Sequence, residues 1–145
     1  MFRLCLLKWK NILYWFGLFT KQFNCFNIAL SDKVGSKTIY FTNFNSQLAS
    51  LSVNLKNINF LKNKKFKKQK IKVTTLDTFE KKNKKLFKKK IDLLKIDTEG
   101  NDFKVLKGSI KFIKKYKPKF IQIEMNYHYL FDGENLFQFH KLLKN

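Results

Sequence analysis

The chain has 145 residues, 44% of them hydrophobic, which leaves room for one domain with a buried core and excludes a wholly disordered chain. Lysine and arginine number 31 against 10 acids, a net charge of +21, so non-specific attraction to polyanions is expected. Arg3 is the only arginine, which argues against specific readout of phosphates and bases by guanidinium forks, and the abundance of Lys, Asn, Ile and Phe is also what AT-rich coding produces.

Met1 to Asn24 stands apart as an unassigned apolar and basic segment. Ile12–Phe19 is an apolar run behind Arg3, Lys8 and Lys10. It lacks a small-residue cleavage site, and it is shorter than the about 20 residues needed to span a bilayer. It reads as a buried or interfacial helix, with peripheral membrane contact as the alternative. Cys5 and Cys25 have no CxxC spacing, so they exclude a standard structural zinc site and a disulfide framework. A reducing, cytoplasmic setting is the default.

Phe26–Leu30 and Lys37–Thr42 read as strands around the turn Ser31–Ser36, which predicts a β-hairpin. Asn43–Asn59 is irregular. Leu61–Lys70 reads as a solvated lysine connector, and Ile71–Thr74 as a short strand. Asp77 and Glu80 are spaced to cap the start of a brief helix. Lys81–Lys90 reads as a solvated, mobile lysine face, with an acidic partner as the alternative.

Ile91–Ile96 has the apolar content of a strand buried in a parallel sheet. Lys95 and Asp97 leave it on one face. Asp97, Glu99 and Asp102 then crowd a corner where Gly100 can take a positive φ. Phe103, Leu106, Ile110 and Ile113 recur at helical spacing, predicting a helix to about Tyr116, stopped by Pro118. Phe120–Met125 is the next strand. Ile91 to Met125 is thus one strand–helix–strand unit with parallel strands. A terminal helix follows, with Leu136, Phe139, Leu142 and Leu143 as its apolar stripe.

The acids at the carboxyl ends of these strands, Asp97 with Glu99 and then Glu124, are the candidate site, because open α/β sheets place ligands there. Such oxygens suit a divalent cation, a donor amine or a proton from a hydroxyl, and the residues alone leave these open. Lys95 beside Asp97 predicts an ion pair that keeps the carboxylate charged. Asp97 and Glu99 as caps of the following helix is the alternative.

Lys95-Ile96-Asp97-Thr98-Glu99-Gly100 followed by Val105-Leu106-Lys107-Gly108, preceded by Thr74-Thr75-Leu76-Asp77-Thr78-Phe79 and by Ala29-Leu30-Ser31-Asp32-Lys33-Val34-Gly35, resembles the FkbM family of methyltransferases. The resemblance runs from about Asn27 to the end, so residues 25–145 are taken as the domain. It implies an α/β fold, a partial Rossmann-like class I methyltransferase sheet with a β-hairpin insertion. It implies S-adenosylmethionine as cofactor, a small-molecule or glycan hydroxyl as substrate, and O-methyl transfer. It places Asp97, Glu99 and Glu124 at the catalytic end, and Ser31, Asp32 and Lys95 on the donor side. Metal dependence and oligomeric state stay open. The chain departs from the family in three respects: its five glycines include no GxG turn for the donor, nothing before Asn27 reads as the family's first two strands, and Lys141–Asn145 stops where the family continues into its last two strands. It therefore reads as the middle of such a domain, cut at both ends, with weak or absent donor binding expected. A lysine-rich, non-catalytic module for nucleic acid or an anionic surface is the alternative function.

Overall fold

Two adjacent parallel strands and the helices that connect them hold the largest part of the core. The structure is a computed structural model and describes residues 4–6, 24–41, 65–87, 90–98, 100–124 and 134–144. The strands are β1 (Leu4–Leu6), β2 (Asn24–Phe26), β3 (Ala29–Leu30), β4 (Gly35–Phe41), β5 (Lys67–Thr74), β6 (Leu93–Ile96) and β7 (Phe120–Ile123). The helices are α1 (Leu76–Lys82), α2 (Asp102–Lys107), α3 (Ile110–Tyr116) and α4 (Leu136–Lys144), with a 3₁₀ turn at Lys84–Leu86. The elements make a mixed α/β fold with three small sheets, β1-β2, β3-β5-β4 and β6-β7.

β6 and β7 are parallel neighbours, paired from Leu93↔Phe120 to Ile96↔Ile123. The strand–helix–strand reading of Ile91 to Met125 is therefore seen as far as Glu124, Met125 lying outside the described residues, with one change. The single helix expected to Tyr116 is two, divided at Gly108 and Ser109. The Ser109 hydroxyl donates to the Val105 carbonyl at 2.6 Å, and the Gly108 carbonyl accepts from the Asp77 amide at 3.1 Å, so the break has bonds of its own. The helix ends as expected before Pro118, with Lys117 at φ 45°.

The expected hairpin between Phe26–Leu30 and Lys37–Thr42 does not form. β5 lies between them, parallel to β3 and antiparallel to β4. The antiparallel partner of β4 thus joins Ile71–Thr74, a strand as expected, to Lys67–Lys70 of the lysine stretch read as a connector. Lys67–Lys70 extends the strand because each residue has a cross-strand partner on β4, and lysine keeps its ammonium in water while its stem lies on the sheet.

The block Lys81–Lys90 is solvated as expected, apart from one anchoring residue. Its described lysines are exposed, but Phe87 is buried and packs edge-on against Phe79 and Phe112. Phe26, Tyr116 and the β6 residues Leu94 and Ile96 join the same core. α4 starts with a capping box: Asn135 and Gln138 each accept a backbone amide of the other. Of its expected stripe, Phe139 is buried against Phe103 at 4.8 Å between ring centroids, whereas Leu136 and Leu143 are exposed.

Candidate functional site

The parallel register of β6 and β7 places Asp97 and Glu124 one step beyond the paired residues Ile96 and Ile123. Opposite residues on neighbouring strands share a face, and the strands lie about 4.8 Å apart, so the two carboxyls meet. They share a hydrogen bond. Lys95 approaches Asp97 from the same face at 2.9 Å. The ion pair expected between them is present. Glu99 lies outside the described residues.

The two acids are pushed in opposite directions. Asp97 is held below the usual carboxylate range, chiefly by the hydrogen bond from Lys95 and further by the one shared with Glu124. Glu124 is raised, first by its hydrogen bond to Asp97, then by the negative charge of Asp97 and by burial. Lys95 is raised by its bond to Asp97. Like charges side by side oppose each other's ionisation, so Glu124 gives up its proton at higher pH than an ordinary glutamate.

Backbone geometry fixes the corner after β6. Gly100 has φ 93°, a conformation that side chains with a Cβ rarely adopt. Asp102, 1% exposed, accepts the Thr98 amide at 2.9 Å. Of the acids grouped at this corner in the sequence, Asp102 thus closes the loop, and Asp97 pairs across the strands rather than capping α2. Asn101, also buried, donates to the Leu30 carbonyl at 2.9 Å. That bond, spanning 71 positions, ties the end of β3 to the corner.

Ser31 and Asp32 follow directly from β3. Ser31 is fully buried, and its hydroxyl donates to Asp32 at 3.0 Å. Lys37 donates to the Ser31 hydroxyl and pairs with Asp32 at 3.4 Å. Burial tends to raise Asp32, but the Ser31 hydroxyl and the charge of Lys37 outweigh it and its pKa is lowered. Gly108 packs on this turn from α2: a Cβ there would stand 2.2 Å from the Ser31 carbonyl oxygen. The sequence-expected residues therefore fall in two clusters, Lys95–Asp97–Glu124 and Ser31–Asp32, with the Asn101 bond tying the corner of the first to the strand that carries the second.

Lys37, Asn101 and Thr98 carry no local sequence signal for these positions. Lys37 could be sought as the first lysine after a turn that folds back on Ser31. Asn101 stands beside the acidic motif, but its partner Leu30 lies 71 positions away. Thr98 Oγ1 is buried with no hydrogen-bond partner. Among the described residues no three acids, histidines or cysteines come together to hold a metal. No helix among them is long and apolar enough to cross a membrane. An open apolar groove of about 640 Å³ lies between β7 and α4, lined by Ile121, Ile123, Leu136, Phe137 and others, and none of the candidate acids lines it.

Comparison with curated proteins finds no match, and comparison with solved structures finds none either. A family model, the methyltransferase FkbM domain, matches residues 4–145 and so reaches over most of the N-terminal segment that did not itself carry the resemblance. With that match over nearly the whole chain, the chain belongs to the FkbM-domain methyltransferase family.

Proposed function

We propose that the chain transfers a methyl group from S-adenosylmethionine to a hydroxyl oxygen of a small molecule or glycan, at the corner formed by Lys95, Asp97 and Glu124. The carrying observation is the pair of carboxyls at adjacent parallel strand ends, one held charged and the other holding its proton to higher pH. The family supports the transferase class. A partial Rossmann-like sheet is the arrangement this reading implies, and the parallel pairing of β6 and β7 supports it.

The corner fits the cationic end of such a donor. Asp97 supplies a fixed negative charge, and the buried Thr98 hydroxyl has an unused hydrogen bond. The nucleoside end has less to hold it. No GxG turn occurs in the sequence, and Asp32 is already engaged by Ser31 and Lys37. Donor binding by this chain is therefore weak, roughly 0.1 mM or above, which is about −5.5 kcal/mol.

When bound, the donor supplies a sulfonium methyl group open to in-line displacement. Glu124, once deprotonated, accepts the hydroxyl proton at a carboxylate oxygen. Asp97 raises Glu124 towards the pH at which a carboxylate is an effective base, and Lys95 keeps Asp97 charged. The bonds of Asp102 and Asn101 hold the corner in position.

The test is transfer of a labelled methyl group to a panel of sugars and other hydroxyl compounds. Glu124→Gln should lower the rate by about a hundredfold or more, with an unchanged circular dichroism spectrum. Full activity in that variant would rule out Glu124 as the base.

A further inference from the structure

The β4–β5 ribbon carries a surface that methyl transfer does not use. Ser36 faces Lys72, Thr38 faces Lys70 and Tyr40 faces Lys68. Opposite residues of an antiparallel pair point to the same side, so these six form one face. The other face buries Ile39 and Val73. All three lysines are exposed. No acid occurs in either strand, and no ion pair among the described residues involves Lys68, Lys70 or Lys72.

Alternate strand residues repeat about every 6.7 Å, so the three ammonium groups follow a line about 13 Å long. Like charges at that spacing repel, and a string of anions with a similar repeat relieves the repulsion. The phosphates of an extended polynucleotide form such a string. Lysine binds phosphate as a point charge, which provides affinity without base readout. Tyr40, half-buried at the Lys68 end, offers a ring on which a base can stack. Between Lys68 and Lys72 the partners on β4 are Tyr40, Thr38 and Ser36, which offer hydroxyls rather than the large aliphatic groups a membrane surface would take up.

We propose that this face binds single-stranded nucleic acid without sequence preference, with Lys68, Lys70 and Lys72 on successive phosphates and Tyr40 against a base. The proposal is independent of the methyltransferase site.

The test is fluorescence anisotropy of a labelled twenty-residue oligothymidylate across a salt series. Neutralising the ribbon as Lys68→Gln, Lys70→Gln and Lys72→Gln together should weaken binding at least tenfold at low salt. It should also flatten the plot of log affinity against log salt by about 2 units, three phosphates at about 0.7 each. A control with equal charge loss, Lys81→Gln, Lys82→Gln and Lys85→Gln, should change the slope by less than half a unit. Tyr40→Ala should weaken oligothymidylate binding about fivefold or more and leave inorganic polyphosphate binding unchanged. Independently of any variant, a photoreactive iodouridine oligonucleotide should crosslink within Tyr40 or Lys67–Lys72 of the unaltered chain. Equal losses in ribbon and control variants, crosslinks only elsewhere, or no binding at low salt would overturn the proposal. So would ribbon-dependent binding to anionic lipid vesicles as tight as to the oligonucleotide.

Discussion

Glu124 stands where an ordinary glutamate would be fully charged at neutral pH, yet its neighbour Asp97 makes that charge costly. Glu124 is raised, so the stabilisation tied to its bound proton is complete below the ordinary glutamate value and is lost as pH rises through the raised one. Asp97 is lowered, so its contribution is present above the ordinary aspartate value and is lost as pH falls through the lowered one. In a carbon-detected NMR titration Glu124 should titrate above an ordinary glutamate. Asp97→Asn should bring it down, because the negative neighbour is gone. Lys95→Met should move it further up, because Lys95 pulls it down in the unaltered chain. A Glu124 midpoint unmoved by Asp97→Asn would show that the carboxyls do not interact. Asp97, Glu124 and the Lys95 pairing were legible in the sequence, since a two-residue step on one strand and the end of the next parallel strand determine them. Lys37 and Asn101 were not, because their partners are set by how β3 returns against the corner, and the Asn101 bond spans 71 positions.

At the scale of elements, Asp77 shows how one motif residue can serve a helix other than its own. The spacing of Asp77 and Glu80 suggested that both cap the helix they belong to. In the structure Thr75 caps α1, accepting the Thr78 amide at 2.9 Å. Asp77 reaches across to the start of α3, where its carboxylate accepts from Phe112 at 2.7 Å and Lys111 at 3.2 Å. Ser109, at the cap position of α3, makes no side-chain cap bond of its own. Glu80, buried, instead takes hydrogen bonds from Lys115 at 2.8 Å and Tyr116 at 2.6 Å, and the bond from Lys115 is the main cause of its lowered pKa. α1 and α3 are thus joined at two points, and the motif acids there are structural. Asp77→Ala should cost about 1–2 kcal/mol in a denaturant titration, the usual loss for a helix cap. Asp77→Asn should cost less, because an amide oxygen still accepts one of the two amides. Equal losses for the two substitutions would mean that the charge, not the cap geometry, matters. The strands were less legible than the helices. The lysine content of Lys67–Lys70 hides a strand whose pairing with β4 is non-local, and the helix divides at Gly108 because of contacts made from α1 and β3.

Over the whole molecule, Gly108 is where the Ser31–Asp32 cluster depends on one backbone contact with the end of α2. The 2.2 Å separation that a Cβ would have from the Ser31 carbonyl cannot be relieved by turning a side chain, since the opposing atom is backbone. Gly108→Ala should therefore destabilise by about 3 kcal/mol or more and displace the Ser31–Asp32 turn. A fully stable alanine variant would show that β3 is free to shift. The α/β class was readable from the Ile91–Met125 unit, because that crossover is local in sequence. The strand order β3-β5-β4 was not, because residues 42–66 separate β4 from β5 and no turn chemistry signals their pairing.

The most direct test is a calorimetric titration of the chain with S-adenosylmethionine, alongside Asp97→Asn. Weak, saturable binding near or above roughly 0.1 mM, lost on Asp97→Asn while the variant keeps its unfolding transition, is the expected result. Micromolar binding, or binding indifferent to Asp97, would contradict a donor site built on the acidic corner.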